Sequence, residues 1–175
     1  MFLRFLLLLI ISVSCQADTI RIRADEWYPM NGDPLSETPG YMIDLAKAIF
    51  ESHGHQVDYQ VMPWKRAVAE TRSGNSECVV GAIKNEAPDF WYPDNHWGVD
   101  QAAIYVFAKE NWRYDGQLSS LITRKTGVIL GYFYGEVLDQ YFKDNSGEAF
   151  EFVSADQPLM QNIRKLLSGS INGLI

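Results

Sequence analysis

Two cysteines are all that the sequence carries, Cys15 and Cys78, and Cys15 lies in a leader-like N-terminus. No internal disulfide framework is therefore available to a mature chain. Cys78 opens the apolar run Cys78-Val79-Val80, where a thiol serves as a small hydrophobe, and no neighbouring histidine supports a nucleophile. Histidine is almost as scarce. The cluster His53-Gly54-His55 with Asp58 is the sole metal-like grouping in the sequence. Two histidines at i and i+2 across a helix end rarely share an ion, so no metal is expected. Basic residues are outnumbered 15 to 22, for a net charge of −7, and form no stripe. Nucleic acid and anionic membrane surfaces are thereby disfavoured as partners. Also missing are a Gly-x-Ser-x-Gly elbow, a His-Glu-x-x-His pair and a phosphate loop, along with repeats and low-complexity tracts.

Hydrophobic residues make up 47% of the 175, enough for one substantial core or two small lobes. The first residues read as a signal peptide. Met1 to Arg4 supplies a charged start, Phe5 to Val13 an apolar stretch too short to span a bilayer, and Cys15-Gln16-Ala17 small residues before Asp18. Cleavage is expected after Ala17, giving a soluble exported, periplasmic protein. The other reading is a lipoprotein anchored through Cys15, though Ser12-Val13-Ser14 lacks the leucine such sites carry.

From Thr19 on, strand and helix patterns alternate. Ile20 to Ala24 alternates apolar and basic residues as a first strand. After a loop marked by Gly32, Pro34 and Pro39, a helix opens at Gly40-Tyr41, with Met42, Leu45, Ala46, Ile49 and Phe50 on its apolar face. Val57 to Val61 is a second strand. A helix from Trp64 to Arg72 turns Trp64, Ala67, Val68 and Thr71 inward, and Cys78 to Ile83 is a third strand. Such alternation with short connections indicates a parallel sheet covered by helices. Ala102 to Ala108 is a further strand, and the polar segment Lys109 to Lys125 marks a domain boundary. The expected division is thus 1–17 leader, 18–108 first α/β lobe with a crossover strand, and 109–175 partial second lobe. In the latter, strands at Thr126 to Leu130 and Phe150 to Val153 alternate with helices at Gly135 to Asp144 and Leu159 to Ser168. Those helices turn Val137, Leu138, Tyr141 and Phe142, and Leu159, Ile163, Leu166 and Leu167, inward. Ser170 to Ile175 begins another strand.

Ligands of open α/β sheets bind beyond the C-terminal ends of the strands. The loop Gly81 to Pro93, with Lys84, Glu86 and the aromatics Phe90, Trp91 and Tyr92, stands at such an end and reads either as a cleft floor or as a cover for the sheet edge. Trp27, Tyr28, Trp64 and Trp91 all fall at or after strand ends, where they line either a cleft or a lobe core. Arg66 starts the second helix and Tyr41 the first. The turn Gly131 to Gly135, with Tyr132, precedes a helix and reads either as a set of N-terminal amides for a ligand carboxylate or as a plain strand-to-helix turn. Glu86, Asp89 and Asp94 are the only candidates for paired acid-base carboxylates, and their spacing imposes no geometry.

Taken in order, Glu26-Trp27-Tyr28-Pro29, Gly40-Tyr41-Met42-Ile43-Asp44-Leu45, Pro63-Trp64-Lys65-Arg66, the strand Cys78 to Ile83 and the restart at Gly127 to Gly131 resemble a known family. They are similar to the extracellular solute-binding proteins of bacterial ABC importers, the polar amino acid type of solute-binding family three. The resemblance implies an α/β, periplasmic-binding-protein-like (type II) two-lobe fold whose second lobe is incomplete, so that the chain is C-terminally truncated. It implies a monomer that closes on an amino acid or other small polar solute and meets an ABC permease, with no catalytic residues and no cofactor. The ligand-binding residues it points to are Trp27, Tyr28, Tyr41, Trp64, Arg66, Lys84, Trp91 and Tyr132. Family members that bind amino acids carry a Thr-x-x-Arg pattern after the third strand to clamp the ligand carboxylate. Lys84-Asn85-Glu86-Ala87 lacks both residues, which opens the way to a different polar solute. The alternatives are a sensor module, an enzyme of dehydratase or wall-cleaving type on the same fold, and a non-functional fragment.

Overall fold

The computed structural model describes residues 17–96, 98–99, 101–107, 111–145, 147 and 149–175. Residues 1–16, over which a leader is expected and which include Cys15, lie outside the described residues. Two sheets organise the chain. In the first, β1 (Thr19–Ala24) lies between β2 (Gln56–Val61) and β3 (Cys78–Val79), all parallel, in the order β2-β1-β3. Helices α1 (Tyr41–Ser52) and α2 (Trp64–Arg72) make the two crossovers. In the second sheet the order is β4-β7-β5-β6, where β4 (Tyr105–Val106) is an antiparallel edge and β5 (Thr126–Ile129), β6 (Phe150–Val153) and β7 (Gly173–Leu174) run parallel. The short α3 (Leu118–Leu121) precedes β5, α4 (Glu136–Asp144) joins β5 to β6, and α5 (Pro158–Ser168) joins β6 to β7.

The alternating basic residues of β1 are explained by its central place. Arg23, buried, donates to the backbone and carboxylate oxygens of Asp58 on β2 at 2.8 and 2.9 Å. Arg21 pairs with Glu77 just before β3. Ile22 and Ala24 meet Ile43 of α1 and Tyr59 of β2 in one core cluster, while Met62, Trp64, Ala67, Val68 and Ala87 form a second. The other sheet has its own core of Leu121, Val128, Phe142, Phe150 and Ile175, with Leu166, Ile171 and Leu174 on the α5 side.

Several expectations need correction. The third strand is only Cys78–Val79, paired with Ile22 and Arg23, because the chain turns away at Gly81 before the rest of the apolar run can pair, although β1 runs on to Ala24. The strand expected over Ala102 to Ala108 is Tyr105–Val106, as short as the β7 segment it pairs with; Ala108 lies outside the described residues. On α1 the fully buried residue is Ile43, and Ile49 is exposed. Apolar residues cover both sides of this helix. Its rotation is set by entry bonds from the Tyr41 and Met42 amides to the carbonyls of Pro29 and Met30. Val137, Leu159 and Leu167 face solvent, whereas Asn162 is fully buried on α5.

Candidate functional site

β1, β2 and β3 point their C-terminal ends the same way, and those of β5 and β6 meet them from the other sheet. The residues that leave these ends converge. Asp25 follows β1 and is only 3% exposed. Its position is fixed from behind by Asn31, whose amide donates to the Asp25 carbonyl at 2.5 Å and also to the Tyr59 hydroxyl, which in turn donates to the Gly32 carbonyl. Burial raises the Asp25 carboxyl to about 7, more than the hydroxyl donated by Tyr132 lowers it. Tyr132 comes from the turn after β5, and its hydroxyl donates to Asp25 Oδ2 at 2.8 Å. The Tyr132 ring stands edge-on to Trp64 with centroids 6.1 Å apart, so a side chain of the second sheet packs into the first sheet's core.

Two more contacts close the same seam. The Phe133 amide donates to Glu86 Oε1 at 3.0 Å, and Gly131 rests on the Lys65 stem. Further along, the Glu26 amide donates to the Asp156 carbonyl at 2.9 Å and Gln157 donates to the Glu26 carboxylate at 2.5 Å. Beside them lies an open cleft of about 540 Å³, edged by Glu26, Asp33, Asp156, Gln157, Gln161 and Arg164. That volume suits a small solute.

Of the expected ligand residues, Trp64 and Tyr132 are brought together, and Trp27 lies nearby with its ring against Gly81. Others are held apart from this meeting point. Trp91 is 88% exposed, Tyr28 63% and Tyr41 47%; Lys84 is exposed, and Arg66 lies on the α2 surface in an ion pair with Glu70. The loop Gly81 to Pro93 folds largely onto α2, and Glu86 is the residue it sends to the seam. Arg72 pairs with Asp89 at 2.7 Å and lies over the Phe90 ring, and Tyr92 donates to the carbonyls of Ile83 and Ala87. The amides of Gly131 to Gly135, expected to suit a ligand carboxylate, are met by the chain's own acids: Phe133 by Glu86 and Tyr134 by Asp139. Asp25 did not stand out in the sequence as a candidate. Its signal is positional, the first of two consecutive carboxylates directly after a buried strand. Among the described residues no group of three or more His, Cys, Asp or Glu could hold a metal ion.

A parallel sheet and a mixed one, with the C-terminal ends of their parallel strands facing each other, match solved structures over nearly the whole chain. One is an ancestral arginine-binding protein bound to glutamine, at 21% identity and TM-score 0.68, covering 91% of this chain and 69% of that one. The chain has the fold of periplasmic binding proteins. A second match is a structure described under glutathione import in Gram-positive bacteria via GshT and the cystine ABC importer TcyBC of Streptococcus mutans, at 15% identity and TM-score 0.69, covering 91% and 67%. A histidine kinase sensor domain with similarity to periplasmic binding proteins matches at 19% identity and TM-score 0.61, covering 90% and 67%. The chain thus spans about seven tenths of the length of these binding-protein structures. No protein-family model matches the sequence, nor does any curated protein sequence. Among the described residues no helix is long and apolar enough to cross a membrane.

In this binding-protein fold the seam is acidic and aromatic. Asp25, Glu26, Glu86 and Asp156 face it, against Arg164 at the open cleft. Asp25 is buried and Glu26 and Glu86 are half-buried beside aromatic rings, a setting that suits hydrogen-bond donors or an ammonium group, since water is displaced and each polar contact strengthens.

Proposed function

We propose that this chain is a periplasmic solute-binding protein of family three, exported through a cleaved leader, that closes two lobes on an amino-acid-like or other small polar solute and presents the closed form to an ABC permease. The observation that carries the reading is the convergence of Asp25, Trp64 and Tyr132 from the facing strand ends of two sheets, next to an open polar cleft. The lobes are read as dividing after residue 108, past the crossover strand β4 that pairs with β7 of the second sheet, and the site needs both. Where the family resemblance implies an arginine clamp, this chain turns the Glu86 carboxylate into the seam and leaves Lys84 outside. The solute is accordingly read as one recognised through its donors more than through a free carboxylate. Closure is a population shift: the solute stabilises the closed form by its differential affinity for it.

A thermal-unfolding scan of the purified protein against amino acids, small peptides, polyamines and sugars tests this reading. A solute bound only by the native state raises the midpoint; at one hundred times its dissociation constant the gain is about 2.7 kcal/mol. No shift with any class would count against solute binding. Recovery of the solute unchanged separates binding from turnover. A sensor module is the second reading, favoured by the likeness to the histidine kinase sensor domain. Deleting the gene then leaves uptake intact and abolishes a response to the solute, whereas an importer component loses uptake.

A further inference from the structure

The centre of the seam is filled by the protein itself. Tyr132 contributes a ring edge-on to Trp64 and a hydroxyl on Asp25, and Glu86 supplies a carboxylate to the Phe133 amide. These are the three kinds of contact a small polar solute would make there: an apolar body on an aromatic wall, a donor to a buried acid, an acceptor for a turn amide. The open cleft adjoins this filled region, since Asp25 faces the one and its neighbour Glu26 the other. Tyr132 is carried on a turn entered through Gly131 and backed by Tyr134, whose ring lies 6.2 Å from it. It belongs by chain to the second sheet and by packing to the core of the first.

We propose that Tyr132 is a tethered occupant of the cleft: its phenol draws the two halves together by taking the place at Trp64 and Asp25 that a solute must take to bind. The halves then close without solute, and the solute enters from the open cleft by displacing the ring. Tyr132 sets specificity by competition. A solute that cannot replace both the ring contact on Trp64 and the donor to Asp25 loses to it. The displacement step rests on the solute-binding reading above, whereas the closure step does not.

Small-angle scattering of the purified protein without solute reads closure directly. Tyr132→Ala should raise the radius of gyration above the roughly 15–16 Å of a compact chain of this length. Millimolar p-cresol, the detached side chain, should bring it back. An unchanged radius in Y132A overturns the proposal. So does opening that p-cresol cannot reverse, because the ring would then matter only as part of the fold. Circular dichroism establishes that Y132A is folded. If it is not, Tyr132→Phe decides: it keeps the ring and removes the donor to Asp25, and it should raise the radius by less than full opening, a wild-type radius counting as refutation. A solute that stabilises the wild type should bind Y132A at least about tenfold more tightly, because the competent state is no longer taxed by the tether. Equal or weaker binding overturns displacement and makes Tyr132 an ordinary ligand contact. If no solute binds either protein, the solute-binding reading fails while scattering still decides the role of Tyr132.

Discussion

Burial raises the pKa of a carboxyl group because the charged form loses its water, and at Asp25 this cost exceeds what the Tyr132 hydroxyl returns. The consequence for stability has a definite sign. A group that titrates near 7 in the folded protein and near 3.8 in the unfolded chain holds a proton that the unfolded chain has released across that window. Its stabilising contribution is full below about pH 4 and is lost as the pH rises through 7, in all about 4 kcal/mol. Glu77 runs the other way: its bonds to Arg21 hold it down to about 2, so its contribution is present above 4.5 and lost on acidification through 2. Asp25→Asn keeps the acceptor for Tyr132 and removes the charge. We expect its stability relative to the wild type to improve steadily from pH 4 to pH 8 in denaturant titrations. A difference that does not change with pH would show that Asp25 is not charged at a buried site. The sequence hid this residue because a single aspartate after a strand looks like any loop aspartate until a second sheet covers it. Trp64 and Tyr132 were visible as aromatics at strand and helix junctions, but only the facing of the sheets separates them from Trp91, which has the same local setting and points into solvent.

The turn between β5 and α4 shows how an element transmits this geometry. Gly131 has φ +97 and Gly135 has φ +101, both in the left-handed region that a side chain resists at about 1–2 kcal/mol. Their surroundings differ. A Cβ at Gly131 would come within 2.6 Å of Lys65 Cγ on α2, while one at Gly135 meets nothing within 4 Å. Gly131→Ala and Gly135→Ala should therefore both lower the thermal midpoint, and only Gly131→Ala should also increase the radius of gyration. Equal scattering from the two would mean that the contact with α2 does not hold the halves together. Elements with strong periodicity were legible beforehand: α2 is Trp64–Arg72 and β6 is Phe150–Val153, each as read from the sequence. Rotation and length were less so. On α1, Met42, Leu45 and Ile49 compose one apolar stripe and Ile43, Ala46 and Phe50 another, and only the bonds that tie its entry to Pro29 and Met30 favour the second. The length of β3 was likewise hidden, since the apolar run continues in sequence past Val79 while the chain turns away at Gly81, whose φ is +87, although β1 runs on to Ala24.

At the scale of the whole molecule, two sets of core clusters are joined by a thin seam. Ile22, Ile43 and Tyr59 pack on one side and Val128, Phe142 and Phe150 on the other, and among the described core clusters Tyr132 is the one side chain from the second sheet's connections that packs against a first-sheet cluster. Each half thus has the means to unfold by itself, and the seam makes them one cooperative unit. The seam's side-chain links at its centre are Tyr132 with Asp25 and Trp64, and Glu86 with the Phe133 amide. A doubly substituted protein, Tyr132→Ala with Glu86→Ala, removes them while leaving every other core residue in place. Calorimetry should show one transition for the wild type, with calorimetric and van't Hoff enthalpies equal, and two for the double variant, with a calorimetric enthalpy exceeding the van't Hoff value. A single transition that merely moves to lower temperature would mean that coupling runs through the chain connections between the sheets or through the Glu26 contacts with Asp156 and Gln157. The distinction matters for binding. Halves that melt together because of one ring can be separated by whatever displaces that ring, so the energy that couples them is also the energy a solute must replace.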